Sequence, residues 1–276
     1  MFKIPIIYIV AGGDKLKNDI YNNVKHAIPD SLKKEFAYSG SGLLRLPLFL
    51  ESDEYSYVMS MSTKYNLHAT PRERTVYTKQ EEENCPFFLL LLSTPLENNG
   101  LSLECFGTSF ETECYECSTC KRLLGNALIE RNLIKNKDIV WLSNSIISVS
   151  ERFRKLIEKN NFTGINFKHK VQDYKNRTIN NYYCIEPDFN NILPPMHNET
   201  WLIPWETKNL CGHSQFYLFS NVKYSHFALE KAKDFNYSTE TDVGIDGNRF
   251  MIVSKRVRDM IRKYKIRAWC IPIDVI

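Results

Sequence analysis

The residues in this chain best suited to chemistry are cysteines. Cys114, Cys117 and Cys120 stand three residues apart in the run CYECSTCKR. A Cys-x-x-Cys places two thiolates on one tight turn, where they can grip a single tetrahedral zinc. A closed structural site needs four ligands, so two more must come from elsewhere. The run LCGHS supplies them most readily, as Cys211 and His213. The expected metal site is therefore Cys117, Cys120, Cys211 and His213, with Cys114 in reserve. The competing reading, reduced thiols on a loop that bind nothing, stays open. A thioredoxin-like redox pair is disfavoured, because no strand leads into a helix at this point. Cys85, Cys105, Cys184 and Cys270 sit among apolar residues and read as buried thiols.

Signatures of catalysis are otherwise missing. Ser39-Gly-Ser-Gly42 lacks the full Gly-x-Ser-x-Gly of a nucleophile elbow and reads as a turn. The sequence has no His-Glu-x-x-His and no glycine-rich nucleotide loop. A base deaminase would need His-x-Glu followed by Pro-Cys-x-x-Cys, and a His-x-Glu is not expected here. A catalytic zinc also keeps one position open for water, whereas three neighbouring cysteines suit a closed site. The expectation is a protein without enzymatic activity.

The elements that must position these cysteines are written twice. Asp138–Val171 aligns without a gap to Asp242–Val275 at an offset of 104 residues, with nine of 34 pairs identical. Internal repeats decide how a chain divides into units. Each copy reads as strand, helix, strand. A short apolar run (Ile146 to Val149, Phe250 to Val253) is followed by Ser150 or Ser254, whose hydroxyl suits an N-cap. In copy one Ser148 and Glu151 offer an alternative capping box. Phe153, Leu156 and Ile157, matched by Val257, Met260 and Ile261, place one apolar stripe on a helix. Asn160 and Asn161 suit a left-handed helix end. The exit strands alternate, Ile165, Phe167, His169, Val171 against Trp269, Ile271, Ile273, Val275, so one face of each should be buried. The shared Arg152/Arg256 and Arg154/Arg258 read as a solvated helix face whose stems cover apolar neighbours. The basic run Lys255–Arg267, seven cations against one acid, reads the same way, because copy one carries Glu151 and Glu158 in its helix. Phosphate contact by that run is the alternative.

The chain of 276 residues suits an α+β protein with two duplicated strand-helix-strand units and a divergent N-terminal α+β region. The expected division is 1–110, then 111–185 with the Cys-x-x-Cys turn, then 186–276 with the Cys-Gly-His turn. Within 1–110, Ile4–Val10, Leu43–Leu50 and Phe87–Leu92 are apolar runs, and the polar stretch Lys64–Glu83 reads as an exposed loop or hairpin. The six apolar residues Phe87 to Leu92 fall far short of the roughly 20 that span a bilayer. The N-terminal run reads as a first strand rather than a signal peptide, so the expected compartment is the cytoplasm. Eight cysteines there argue for thiols or metal rather than a disulfide frame.

Cys117-Ser-Thr-Cys120-Lys-Arg122, Asp138, Asn144 to Phe153 and Gly164-Ile-Asn-Phe167 together resemble the bacterial double-CXXCG-motif family. The start of the repeated helix is similar to that of immunity proteins encoded beside polymorphic toxins. The resemblance covers about residues 110–171 and more weakly 205–275. Lys121 stands where the family has glycine, and Lys208 stands where a second Cys-x-x-Cys would begin. The resemblance implies a non-enzymatic interaction protein that binds and neutralises a cognate bacterial toxin. The alternative is a zinc-containing nucleic-acid-binding protein. With a net charge of +4, wholesale mimicry of nucleic acid is not expected, although Glu81–Glu83 could act as a local acidic patch. Fifteen tyrosines and four tryptophans supply material for an interface, most of the tryptophans being expected in the core.

Overall fold

The N-terminal apolar run becomes the middle strand of a small sheet. In this computed structural model, which describes residues 2–10, 14–28, 43–46, 48, 52–92, 108–112, 121–129, 131, 134–143, 146–173, 175, 178–187, 191–200, 202–204, 215–218, 221–242 and 248–276, the chain forms two compact units, Met1–Glu83 and Asn84–Ile276. In the first unit β1 (Phe2–Val10) lies between β2 (Leu43–Leu46) and β3 (His68–Val76), antiparallel to both. Helices α1 (Asp14–Val24) and α2 (Asp53–Lys64) accompany them. Ile20, Val24, Ile28, Leu46, Leu48 and Val58 form the unit's own apolar cluster. The stretch Lys64–Glu83 is thus neither the expected exposed loop nor a hairpin of its own: nine of its residues pair in unbroken register with β1. Backbone pairing with a committed neighbour outweighs the polar side chains of HATPRERTV. The helix α3 (Lys79–Asn84) follows, started by a reciprocal capping box in which Thr78 donates to Glu81 while the Glu81 N–H donates to Thr78 Oγ1.

The second unit is built on two sheets. Strand β4 (Phe87–Leu91) opens it, and β5 (Phe110–Thr112) and β6 (Lys121–Leu123) form a two-stranded ribbon. The first large sheet runs β7 (Ala127–Ile129), β10 (Ile165–Asp173), β11 (Thr178–Pro187), β9 (Ile146–Ser150), β8 (Ile139–Ser143). Helix α4 (Glu151–Lys159) joins β9 to β10. The second sheet runs β12 (Leu202–Pro204), β13 (Gln215–Leu218), β15 (Phe235–Asp242), β16 (Asn248–Ser254), β4, β17 (Trp269–Pro272). Helix α6 (Lys255–Lys263) joins β16 to β17. A short parallel pair, β14 (Lys223–Tyr224) with β18 (Asp274–Val275), and the one-turn helix α5 (His226–Leu229) complete it. This is an α+β arrangement. Among the described residues no helix is long and apolar enough to cross a membrane.

Period-two alternation explains the core. Ile147 and Val149 of β9, Phe88 and Leu90 of β4, and Met251 and Val253 of β16 all enter one shared cluster. Phe153 and Ile157 of α4 and Val257, Met260 and Ile261 of α6 belong to the same cluster. The opposite faces are also covered. Ile146 joins Ile129, Val140 and Val171, while Leu89, Phe250 and Ile252 join Leu193, Tyr224 and Ile273. Strands buried on both faces need no polar alternation, which is why FFLLL and FMIV read as continuous apolar runs.

The first boundary differs from the expected 110. β4 lies between β16 and β17 at the centre of the second sheet, although it precedes both copies in the chain. In the first sheet the matching place, between β9 and β10, is taken by β11, which follows them. Trp269 also departs from expectation. It is 62% exposed, at the start of the edge strand β17, where it pairs with Leu91. Trp141 is buried, as expected.

Candidate functional site

The shared polar residues are the first candidates for function, and their geometry is structural. Ser150 and Ser254 cap α4 and α6, each accepting from the N–H three residues on. This settles the N-cap in favour of Ser150 over Ser148. Each serine hydroxyl also donates to an aspartate, Ser150 to Asp138 at 2.9 Å and Ser254 to Asp234 at 2.7 Å. The same aspartates accept from Arg152 (2.7 Å) and Arg256 (3.2 Å to Oδ2). Both arginines then reach across the repeat. Arg152 donates to the carbonyl of Tyr264 at the end of α6, and Arg256 donates to the carbonyl of Asn160 at the end of α4, each at 2.9 Å. Tyr264 and Asn160 are themselves 104 residues apart, so the exchange is reciprocal. Each arginine neutralises an aspartate at one helix start while satisfying a free carbonyl at the other helix's end. Asn161 (φ +50°) and Lys265 (φ +52°) make the matching left-handed helix ends.

The second arginine pair stacks rather than bonds across. Arg154 lies 4.5 Å from the Tyr183 ring centroid of β11, and Arg258 lies 4.6 Å from that of Phe88 of β4. Tyr183 faces Val149 in the first sheet as Phe88 faces Val253 in the second. The solvated-face reading holds only in part, since the Arg258 side chain is fully buried and ion-paired with Asp259.

The aspartates correct the gap-free alignment. Asp138 was paired by sequence with Asp242, yet the residue that repeats its contacts is Asp234, 96 positions on. The Ile139–Val149 pair closes a hairpin over ten residues and the Phe235–Val253 pair one over eighteen. The register therefore changes within the hairpin. With the shorter offset, Leu133-Ile-Lys-Asn-Lys-Asp138 lies over Leu229-Glu-Lys-Ala-Lys-Asp234.

That segment lines an open cleft of about 920 Å³ beside the start of α4. Its floor includes the buried Ile134 and Ile179, with the Tyr182 hydroxyl donating to the Ile134 carbonyl at 2.8 Å. Burial pushes the Tyr182 phenol up, so it stays a donor across the physiological range. Asn136 (φ +61°) holds a left-handed turn on the wall, and Asn181 (φ +73°) is a left-handed residue within β11. Among the described residues five cations line the cleft against two carboxylates. Asp138 is held by Ser150 and Arg152, and Glu151 lies 3.6 Å from Lys155. Arg131, Lys135 and Lys137 make no ion pair among the described residues. At the matching place in the second copy, Asp234 accepts in addition from the Thr163 N–H at 3.1 Å and the Thr163 hydroxyl at 3.3 Å. Among the described residues nothing takes that place on Asp138. Sequence reasoning missed the cleft; the signal was the Leu-x-Lys-x-Lys-Asp repeat, hidden by the longer hairpin.

Cys114, Cys117, Cys120, Cys211 and His213 lie outside the described residues, as do Cys105, Trp201 and Trp205. Among the described residues no group of three or more His, Cys, Asp or Glu side chains is placed to hold a metal. Cys85 and Cys184 are buried and Cys270 is half-buried. A His-x-Glu does occur, at His197–Glu199, but Glu199 pairs with Lys223 at 2.9 Å and its N–H donates to the His197 ring. No known family model matches this chain, and no curated protein matches it.

Proposed function

We propose that this chain is a non-catalytic binding protein that captures and neutralises a toxin protein, as the resemblance at Cys117–Phe167 implies. The observation that carries this reading is the fate of the repeated polar groups. Asp138, Asp234, Ser150, Ser254, Arg152 and Arg256 bond one another and the ends of the two helices, which is the chemistry of a rigid frame. The open cleft beside them offers charge and shape, with its aspartate already engaged. A preorganised surface suits an inhibitor, which loses little entropy on binding. The test is isothermal titration of the purified chain against the toxin domain encoded beside its gene. A stoichiometric complex that abolishes toxicity is expected; the absence of any complex with that domain would overturn the reading.

Zinc at Cys117, Cys120, Cys211 and His213 rests on spacing alone and would be structural, clamping the turns that precede the two copies. Metal analysis of the purified protein should find zinc, and Cys117→Ser with Cys120→Ser should lower zinc content and melting temperature together. Zinc-free protein with an unchanged melt in the variant would remove the metal from this account.

A further inference from the structure

We propose that the cleft lined by Arg131, Lys135, Lys137 and Lys155 is an anion-binding site that takes a carboxylate-bearing loop of a protein partner. This names the contact surface of the reading above and rests on it. The argument begins with charge. Three cations on one turn and its approach make no ion pair among the described residues, in a cleft whose two carboxylates already have basic neighbours. Such a patch raises the local concentration of an acidic partner and steers its approach. The shape agrees: about 920 Å³ is the scale of a pocket that swallows a few side chains, not that of a flat interface.

The lining favours protein over nucleic acid. A single-strand site needs exposed ring faces on which bases stack. Among the described residues Tyr182 is the one aromatic residue of the lining, it is half-buried, and its hydroxyl is bound to the backbone of Ile134. Asp138 and Glu151 would also repel a continuous phosphate backbone, whereas a loop carrying two or three carboxylates can set them against separate lysines. The departure from repeat symmetry points to the same place. Lys231 and Lys233 repeat Lys135 and Lys137, but the aspartate after them is engaged by Thr163. A scaffold role would be served by the same contact in both copies.

The experiment is an NMR titration of the full chain with blocked hexaglutamate at fixed salt. A hexathymidylate strand and inorganic phosphate serve as competing probes. Saturable shifts are expected at the amides of Ile134–Asp138 and Asn181–Tyr182. Lys135→Glu with Lys137→Glu should weaken hexaglutamate at least tenfold. Lys231→Glu with Lys233→Glu, the same charge change at the matching place, should leave it within about twofold. Unchanged amide dispersion in both variants would show that they are folded. Equal losses in the two variants would reduce the effect to net charge and overturn the proposal, as would tighter binding of hexathymidylate or phosphate at the same amides. The two readings fail separately. Hexaglutamate bound in the cleft without any toxin complex sinks toxin capture and leaves the site. A toxin complex of unchanged affinity in Lys135→Glu with Lys137→Glu sinks the site and leaves toxin capture.

Discussion

At the scale of single residues, the arginines decide how firmly the two copies hold each other. Both arginines are more than half exposed, Arg256 at 61% and Arg152 at 54%, but Arg256 faces an aspartate whose side chain is 8% exposed and Arg152 one that is 18% exposed. Removing Arg256 leaves a buried carboxylate with only the Ser254 and Thr163 donors, and water screens the exposed guanidinium, so Arg256→Ala should cost about 1–2 kcal/mol. Arg152→Ala should cost less, roughly 0.5 kcal/mol, because Asp138 keeps more contact with water than Asp234 does. Lysine should not rescue position 256, since one ammonium cannot bridge Asp234 and the Asn160 carbonyl as the guanidinium fork does. Urea melts of the three variants would check the order. Glu240 works in the opposite direction. It is 8% exposed, and burial pushes its carboxyl above the usual range, against the Met196 N–H and the charge of Arg249, which favour the anion. A carboxyl raised in the folded state contributes stability that is fully present below the unfolded value and is lost as pH rises through the folded one. Glu240→Gln keeps an acceptor for Met196 and has no charge to bury beside the Tyr224 hydroxyl. The variant should melt about 2–4 °C above the parent at pH 7.5, for a gain of ~1 kcal/mol, and match it near pH 4. A gap that widened on acidification would contradict this assignment.

At the scale of elements, the sequence was legible wherever the signal was local. Both capped helices could be read because a serine and an apolar stripe lie within a dozen residues of each other, with Asn160 and Asn161 marking the end of the first; the left-handed Lys265 that ends the second carries no such signal. What could not be read depended on distant partners. β3 is polar and forms because β1 offers it nine residues of ladder. Asp234 was hidden by a longer hairpin that shifts the register between offsets of 104 and 96. The cleft was hidden with it, since its lysines are a motif only under the second register. The turn from α4 into β10 shows how narrow these elements' tolerance is. Gly164 has φ +91°, and a methyl group added there would overlap the Phe235 carbonyl oxygen. The overlapping atom is backbone, fixed by the Asn191 side chain and by the Phe235 N–H, which donates to Thr163. Gly164→Ala should therefore cost at least about 3 kcal/mol, well beyond the ~1 kcal/mol ordinarily separating glycine from alanine. Copy two has Ala268 at the matching position, so the reverse change, Ala268→Gly, should cost only about 1 kcal/mol or less.

At the scale of the molecule, the decisive element is the one that crosses the expected boundary. β4 supplies Phe88, Leu89 and Leu90 to two different clusters and provides the ring on which Arg258 stacks. It also holds β16 on one side and β17 on the other, so both ladders depend on it. Cys85, just before it, donates to the Phe87 and Ile273 carbonyls, fastening the strand to the chain's far end. In the first copy these tasks fall to β11, which is contiguous with its sheet. The second copy is therefore not a module that can be cut at residue 110. A chain beginning at Asn84 retains every strand of the two large sheets and should show a dispersed amide spectrum and a single cooperative melt. A chain beginning at residue 111 loses the three buried side chains of β4, Phe88, Leu89 and Leu90, worth roughly 1.5–3 kcal/mol each, and exposes the edges of β16 and β17. It should aggregate or lose the dispersed amides of residues 248–276 while the first sheet persists. Cooperative folding of the chain from 111 would mean that the second copy carries its own fourth strand and that β4 is only an addition to it.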